Sequence, residues 1–134
     1  MKLISDGKPL YLGNKKQFRL ITDWQWQADK KGKFWLVVPK GYVSDLASVP
    51  PIFFWWQWGK WNIAAIAHDY IYEHGYINGV NPDKSVQLKL ECDRLGADLL
   101  FFTHCLVLGV NPITACLMFL ACRLFGWIWW QHDN

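Results

Sequence analysis

Charged residues are scarce in this chain, and no basic stretch stands out. Lys, Arg, Asp and Glu make up 19% of the 134 residues, and the formal net charge is only +3. The closest group of basic residues, Lys30, Lys31 and Lys33, falls in a predicted turn. A protein that binds nucleic acid through its phosphates needs a basic stripe or patch. We therefore expect no nucleic acid among the partners.

Long unbroken hydrophobic runs are also missing, although 52% of the residues are hydrophobic. The apolar stretch from Leu99 to Trp130 is interrupted at 109–112 and again at Arg123, which leaves each piece too short to span a bilayer comfortably. The opening residues MKLISDGK hold no apolar core of a signal peptide. We expect no export by the usual route.

The four cysteines lack the close pairing that structural zinc sites use. They lie in apolar stretches of the second half, where buried free thiols are the simplest expectation. These cysteines are Cys92, Cys105, Cys116 and Cys122.

The residues that are present predict strands first and helices later. Apolar and polar residues alternate over 18–26, the segment 34–38 can pair with it through a polar turn, and 9–12 and 42–45 are short extended pieces. Helical patterns cover 63–74, about 85–108 and 112–127. The tetrapeptide Gly-Val-Asn-Pro occurs at 79–82 and 109–112, and Asn followed by Pro suits a helix start.

These patterns predict an α+β fold in a single domain over 1–134. A small antiparallel β-sheet from the N-terminal half would pack on about three α-helices from the C-terminal half. Ten tryptophans, several of them in the segments 55–58 and 127–130, are more than a domain of this size buries completely. Some of them should contact another protein or a membrane interface.

One helix face carries the first candidate site residues. His68 and Tyr72 lie one turn apart on a stripe with Ala64 and Ile71, and Asp69 is turned about 100° away from it. Asp98 is surrounded by apolar neighbours, where a carboxylate is costly unless it is paired. Its candidate partners are Arg94, one turn earlier, and His68 on the preceding helix.

Contact between His68 and Asp98 would leave two interpretations open. As a structural network, the cluster fixes how two helices meet. As a catalytic dyad, Asp98 orients His68, which accepts a proton from water, while Tyr72 donates its hydroxyl to Asp98. Asp69 could then bind a divalent cation such as calcium.

Asp45 could join Asp69 in this cation site. An alternative role for Asp45, in Asp45-Leu46-Ala47-Ser48, is to cap a short helix or turn.

The residues His68, Asp69 and Tyr72, with the distant Asp98, resemble the His-Asp-x-x-Tyr and Asp arrangement of secreted-type phospholipases A2. That resemblance implies a histidine that activates water, an adjacent aspartate that binds calcium, and a tyrosine and second aspartate that orient the histidine. It covers only this handful of positions. The glycine-rich calcium loop and the flanking cysteines of those enzymes have no counterpart here.

A second resemblance covers most of the chain from about residue 33. The blocks GYVSDLASVP at 41–50, AAIAHDYIY at 64–72 and RLGADLLF at 94–101 are similar to a phage and prophage family, the domain of unknown function numbered 1353. The resemblance implies a phage genome context and supplies no mechanism.

From this context we expect a phage-encoded accessory protein of the virion or tail, located in the virion or the host cytoplasm, with other virion or tail proteins as partners. The alternative is a metal-assisted hydrolase of a phospholipid or cell-wall bond that uses His68 and Asp98.

Overall fold

The computed structural model describes residues 1–12, 17–44 and 60–131. The chain divides into two compact units, one formed by 1–45 with 76–91 and the other by 46–75 with 92–134. Each unit is described by itself below. That the whole chain is a single domain stays a prediction.

The first unit contains two antiparallel sheets. The larger has five strands in the order β1-β4-β5-β7-β8, and the smaller has three in the order β2-β3-β6. The strand bounds are β1 Lys2–Asp6, β2 Pro9–Tyr11, β3 Phe18–Leu20, β4 Trp24–Gln27, β5 Trp35–Val38, β6 Val43–Ser44, β7 Tyr76–Val80 and β8 Gln87–Glu91.

The predicted hairpin is present, with β4 and β5 paired antiparallel. Alternation along β4 buries Trp24 and Trp26, whose stacked rings have centroids 6.0 Å apart. The single strand predicted over 18–26 is instead two strands in different sheets. The backbone N–H groups of Ile21 and Thr22 both donate to the carbonyl of Gly7. This shared bonding interrupts the strand pairing, so β3 ends before β4 begins.

The first Gly-Val-Asn-Pro does not start a helix, and the helix predicted from about Ser85 is wrong over its first turns. Asn81 connects β7 to β8: its Oδ1 accepts from the N–H of Val86 at 2.9 Å, and its Nδ2 donates to Ser85. The helix begins only at Arg94, where Asp93 is the N-cap and accepts from the N–H of Gly96. Asn and Pro serve turns as well as helix starts, so the tetrapeptide was ambiguous.

The second unit is helical. Helix α1 spans Lys60–His74, α2 Arg94–Val107 and α3 Pro112–Phe125, with a short 3₁₀ helix over Gly126–Ile128. Here the second Gly-Val-Asn-Pro acts as predicted, since Asn111 accepts from the N–H of Ile113 and Pro112 stands in the first turn. Together the sheets and the three helices confirm the α+β class. None of the helices in the described part of the chain combines the length and the hydrophobicity that a membrane span requires.

All four cysteines are free, as expected, but they are not all buried. Cys105 and Cys122 are buried, Cys92 is half-buried and Cys116 is exposed, because Cys116 lies on the outward side of α3. Among the tryptophans expected to make contacts, Trp127 is exposed, whereas Trp129 and Trp130 are half-buried. The segment 55–58 lies outside the described residues.

Candidate functional site

The helical unit holds a buried polar cluster centred on Asp98. The Nε2 of His68 lies 2.7 Å from Oδ1 of Asp98, which joins α1 to α2. The hydroxyl of Tyr72, one turn further along α1, donates to the same oxygen at 2.6 Å. His68, Tyr72 and Asp98 are each at most 1% exposed. The contact that the sequence predicted across neighbouring helices is therefore present, and it lies in the interior.

The other oxygen of Asp98 meets two cations. Arg123 on α3 donates from Nη1 to Oδ2 at 2.9 Å, and Nη1 of Arg94 lies 3.8 Å from the same oxygen. Arg94, one of the two partners predicted for Asp98, is thus the more distant of these two cations. Asp98 consequently links α1, α2 and α3 through a single carboxylate.

Arg94 contacts the end of α3 instead. Its Nη1 donates to the carbonyl of Cys122 at 2.9 Å, and Nη1 and Nη2 each lie 3.2 Å from the carbonyl of Arg123. The last carbonyls of a helix have no partner within the helix, and a guanidinium at this end also opposes the negative end of the helix dipole. Arg94 therefore acts as a cap on α3 supplied by α2.

Gly126 lets the chain after α3 approach this cluster closely. A Cβ at this position would lie 2.5 Å from the Tyr72 hydroxyl and 3.3 Å from Nη1 of Arg94. Beyond it, the ring of Trp130 packs edge-on against Tyr72 at 5.2 Å, and the N–H of Gln131 donates to the Tyr72 carbonyl. Residue 126 has room for a hydrogen atom and for no side chain.

The cluster keeps Asp98 ionised and Tyr72 protonated. Burial by itself raises the pKa of Asp98, but the hydrogen bonds from His68, Tyr72 and Arg123 outweigh it, so the pKa lies below its ordinary value of 3.8. Burial, together with the hydrogen bond to Asp98, raises the pKa of Tyr72 far above its usual range. Tyr72 is therefore a donor to a carboxylate and is itself a poor acid.

One set of metal-ligating groups occurs among the described residues: His68, Asp98 and Cys122, whose donor atoms lie within 4.8 Å of one another. Their chemistry does not favour a metal. Burial raises the pKa of the Cys122 thiol well above its ordinary value, and both oxygens of Asp98 already accept short hydrogen bonds. The guanidinium groups of Arg94 and Arg123 supply the positive charge that a cation would bring.

Asp69 is also buried, at 3% exposed, and it is not part of that set. Asp45, its predicted companion in a site for a divalent cation, lies outside the described residues, so the cation site at Asp45 and Asp69 stays a prediction.

Sequence reasoning missed the contribution of Arg123, although a signal was available. Between Pro112 and Gln131 it is the single charged residue in a long apolar stretch. A cation in such surroundings requires an acidic partner as much as Asp98 does. Gly126 offered no comparable signal, because its role depends on how close Tyr72 comes in three dimensions.

A family model described as "Protein of unknown function (DUF1353)" matches residues 18–122. The chain belongs to this family. Comparisons with curated proteins and with solved structures gave no match. In this DUF1353 chain the matched region includes His68, Asp69, Tyr72, Arg94 and Asp98, while Gly126 lies beyond it.

Proposed function

We propose that this DUF1353 protein is a phage-encoded accessory subunit of a virion or tail, and that it works by attachment and not by catalysis. The buried cluster is then a framework that holds three helices together. Its expected location is the virion or the cytoplasm of the infected host.

The closure of the cluster supports the non-catalytic part of this proposal. A general base must come within hydrogen-bond reach of the proton it removes, directly or through one water. His68 is 1% exposed and its Nε2 is committed to Asp98. Both oxygens of Asp98 are engaged as well, which is the pattern of a satisfied structural network.

The edge of the larger sheet supports attachment to protein partners. Among the described strands, β8 is the last on one side of that sheet. Val86, which precedes the strand, and Leu88 within it are 49% and 50% exposed. An edge strand presents backbone groups that a strand of another protein can pair with. We propose other virion or tail proteins as the partners of this edge.

Purified particles test the proposal. Particles released by a strain that encodes the chain would be banded on a density gradient, washed in high salt and analysed by mass spectrometry. The full chain is expected in the particle band, and a Val86→Gln/Leu88→Gln variant is expected to be depleted from it. Absence of the wild-type chain from washed particles would overturn the proposal.

A hydrolase is the second candidate, and the short bonds of His68 and Tyr72 to Asp98 favour it, because this is how a catalytic imidazole is oriented. Its substrate would be a phospholipid or a cell-wall bond. The His68→Ala variant separates the two candidates. Loss of stability, with no lipid- or wall-degrading activity in the wild type, supports the framework. A stably folded variant that has lost such an activity supports the enzyme.

A further inference from the structure

The outward side of helices α2 and α3 is apolar along its whole length. On α3, Ile113, Leu117, Leu120 and Leu124 recur at intervals of four, three and four residues, and all are between 47% and 72% exposed. This is the spacing of one helix face. Such a face in water is costly unless something covers it.

Helix α2 carries a matching stripe. Leu95, Leu99 and Leu106 are 39% to 47% exposed, and Phe102 falls at the intervening position of the same stripe. The ring of Phe102 lies 5.8 Å from that of Phe119, the neighbour of Leu120 on α3. The two stripes therefore adjoin, and we call them together the outer face.

The outer face carries no charge. From Leu95 to Gln131 the only Asp, Glu, Lys or Arg residues are Asp98 and Arg123, and these two are paired with each other at 2.9 Å within the cluster. Just after the end of α3, Trp127 is 65% exposed. In membrane proteins, tryptophan side chains are enriched at the level of the lipid headgroups, where the apolar surface ends.

We infer that the outer face binds the surface of a lipid bilayer, with α2 and α3 lying along it. The face has no exposed Met or Arg, which interfaces between proteins favour, and its exposed Leu and Trp residues are among those that interfacial membrane helices bury in the lipid. Each helix has 14 residues, or about 21 Å at 1.5 Å per residue. That is shorter than the roughly 30 Å apolar core of a bilayer, so the helices rest on the membrane and do not span it.

This inference goes beyond the proposed function and does not depend on it. The test is flotation of the purified full chain with vesicles of phosphatidylcholine, with and without phosphatidylglycerol. Because apolar contact drives the binding, the protein should float with both kinds of vesicle, and high salt should change the bound fraction little.

Two matched triple variants make the test specific. Leu117→Gln/Leu120→Gln/Leu124→Gln on α3 should lower the partition coefficient about tenfold or more. Leu10→Gln/Ile21→Gln/Val43→Gln, at similarly exposed positions of the sheet unit, should leave it unchanged. Circular dichroism and thermal unfolding would verify that both variants fold.

A wild-type protein that stays at the bottom of the gradient would overturn the inference, as would an α3 variant that floats like the wild type. If the wild type does not float and is a dimer that the α3 variant dissociates, the outer face joins two copies. If it does not float and the α3 variant is instead lost from particles, the face binds a particle protein. Absence from particles with normal flotation would overturn the proposed function alone.

Discussion

Arg123 binds Asp98 from a third helix, 25 residues further along the chain, at 2.9 Å. The Arg123 side chain is 30% exposed and that of Asp98 is fully buried. The positive partner therefore keeps some contact with water, while the negative one depends on protein groups alone. Because Asp98 is the common acceptor for His68, Tyr72 and Arg123, we expect the cluster to be more sensitive to loss of this carboxylate than to loss of any one donor.

We expect Asp98→Asn to lower the free energy of unfolding by roughly 3 kcal/mol, since it removes a buried charge that three donors and a second cation surround. Chemical denaturation of the full chain measures this value. Glu91→Gln, on exposed β8, is the control for loss of one negative charge and should change stability by less than about 0.5 kcal/mol. Equal effects of the two substitutions would contradict the central role of Asp98.

The difference in stability between the wild type and Asp98→Asn should depend on pH. The pKa of Asp98 lies below its ordinary value of 3.8 in the folded protein, so the unfolded chain binds the proton first as the pH falls. The stabilisation from Asp98 is complete above that ordinary value and is lost as the pH drops through the folded pKa. The stability gap between wild type and Asp98→Asn should therefore narrow in acid. A gap that is constant down to the acid limit of folding would contradict this.

Gly126→Ala should destabilise the protein by about 1 to 3 kcal/mol, because the new Cβ would lie 2.5 Å from the Tyr72 hydroxyl. The φ angle of −62° at this residue suits alanine, so backbone strain adds nothing. Tyr72→Phe removes the clashing oxygen. In the Tyr72→Phe background, Gly126→Ala should lower the free energy of unfolding by only a small fraction of that amount. A double-mutant cycle measures the difference. An unchanged cost would show that the clash lies elsewhere.

The sequence led to the contact between His68 and Asp98 because of an energetic argument that needs no coordinates. A carboxylate among Ala97, Leu99 and Leu100 must have a partner, and the histidine on the preceding helix was one of two candidates. The contact of Tyr72 with Asp98 was predicted because Tyr72 lies one turn from His68 on the same helix. Identifying Arg123 required the register of a third helix against the first two, which local patterns do not contain.

The strand β8 was missed for a different reason. The spacing of Leu88 and Leu90 fits the two-residue period of a strand. Together with the apolar residues after Arg94, the same two leucines also fit the beginning of a helical pattern. Pairing with β7 decides in favour of a strand, since tertiary hydrogen bonding overrides a weak local preference. The N-cap at Asp93 marks the helix start, a local signal in the sequence that the longer periodic pattern concealed.

His104 on α2 should remain neutral far into acid. Burial lowers its pKa from 6.5 to about 3. Below the ordinary pKa the unfolded chain binds a proton that the folded protein does not, so stability falls as the pH drops from 6.5 towards about 3. Nuclear magnetic resonance of the imidazole through a pH titration measures this directly. In His104→Gln the slope of stability against pH over this window should be smaller. A His104 resonance that titrates near its ordinary pKa would contradict the prediction.

The cysteines should differ sharply in reactivity towards a thiol reagent at mildly alkaline pH. Burial raises the pKa of Cys92 to about 11 and that of Cys105 to about 12, and burial likewise raises that of Cys122. Because the thiolate is the reactive form, only the exposed Cys116 should react quickly in the native protein. Unfolding should expose all four thiols. Cys116→Ser should abolish the fast phase, and a fast phase of two or more thiols in the wild type would contradict this order of reactivity.

Cys116 also reports on the outer face. It follows Ile113 by three residues and precedes Leu120 by four, so it lies on the same side of α3. If α3 rests on a bilayer, vesicles should slow the labelling of Cys116 in the full chain by restricting access of the reagent. The α3 triple variant keeps Cys116, and vesicles should have little effect on its labelling. Equal rates with and without vesicles in the wild type, under conditions where the protein floats, would place a different surface on the lipid.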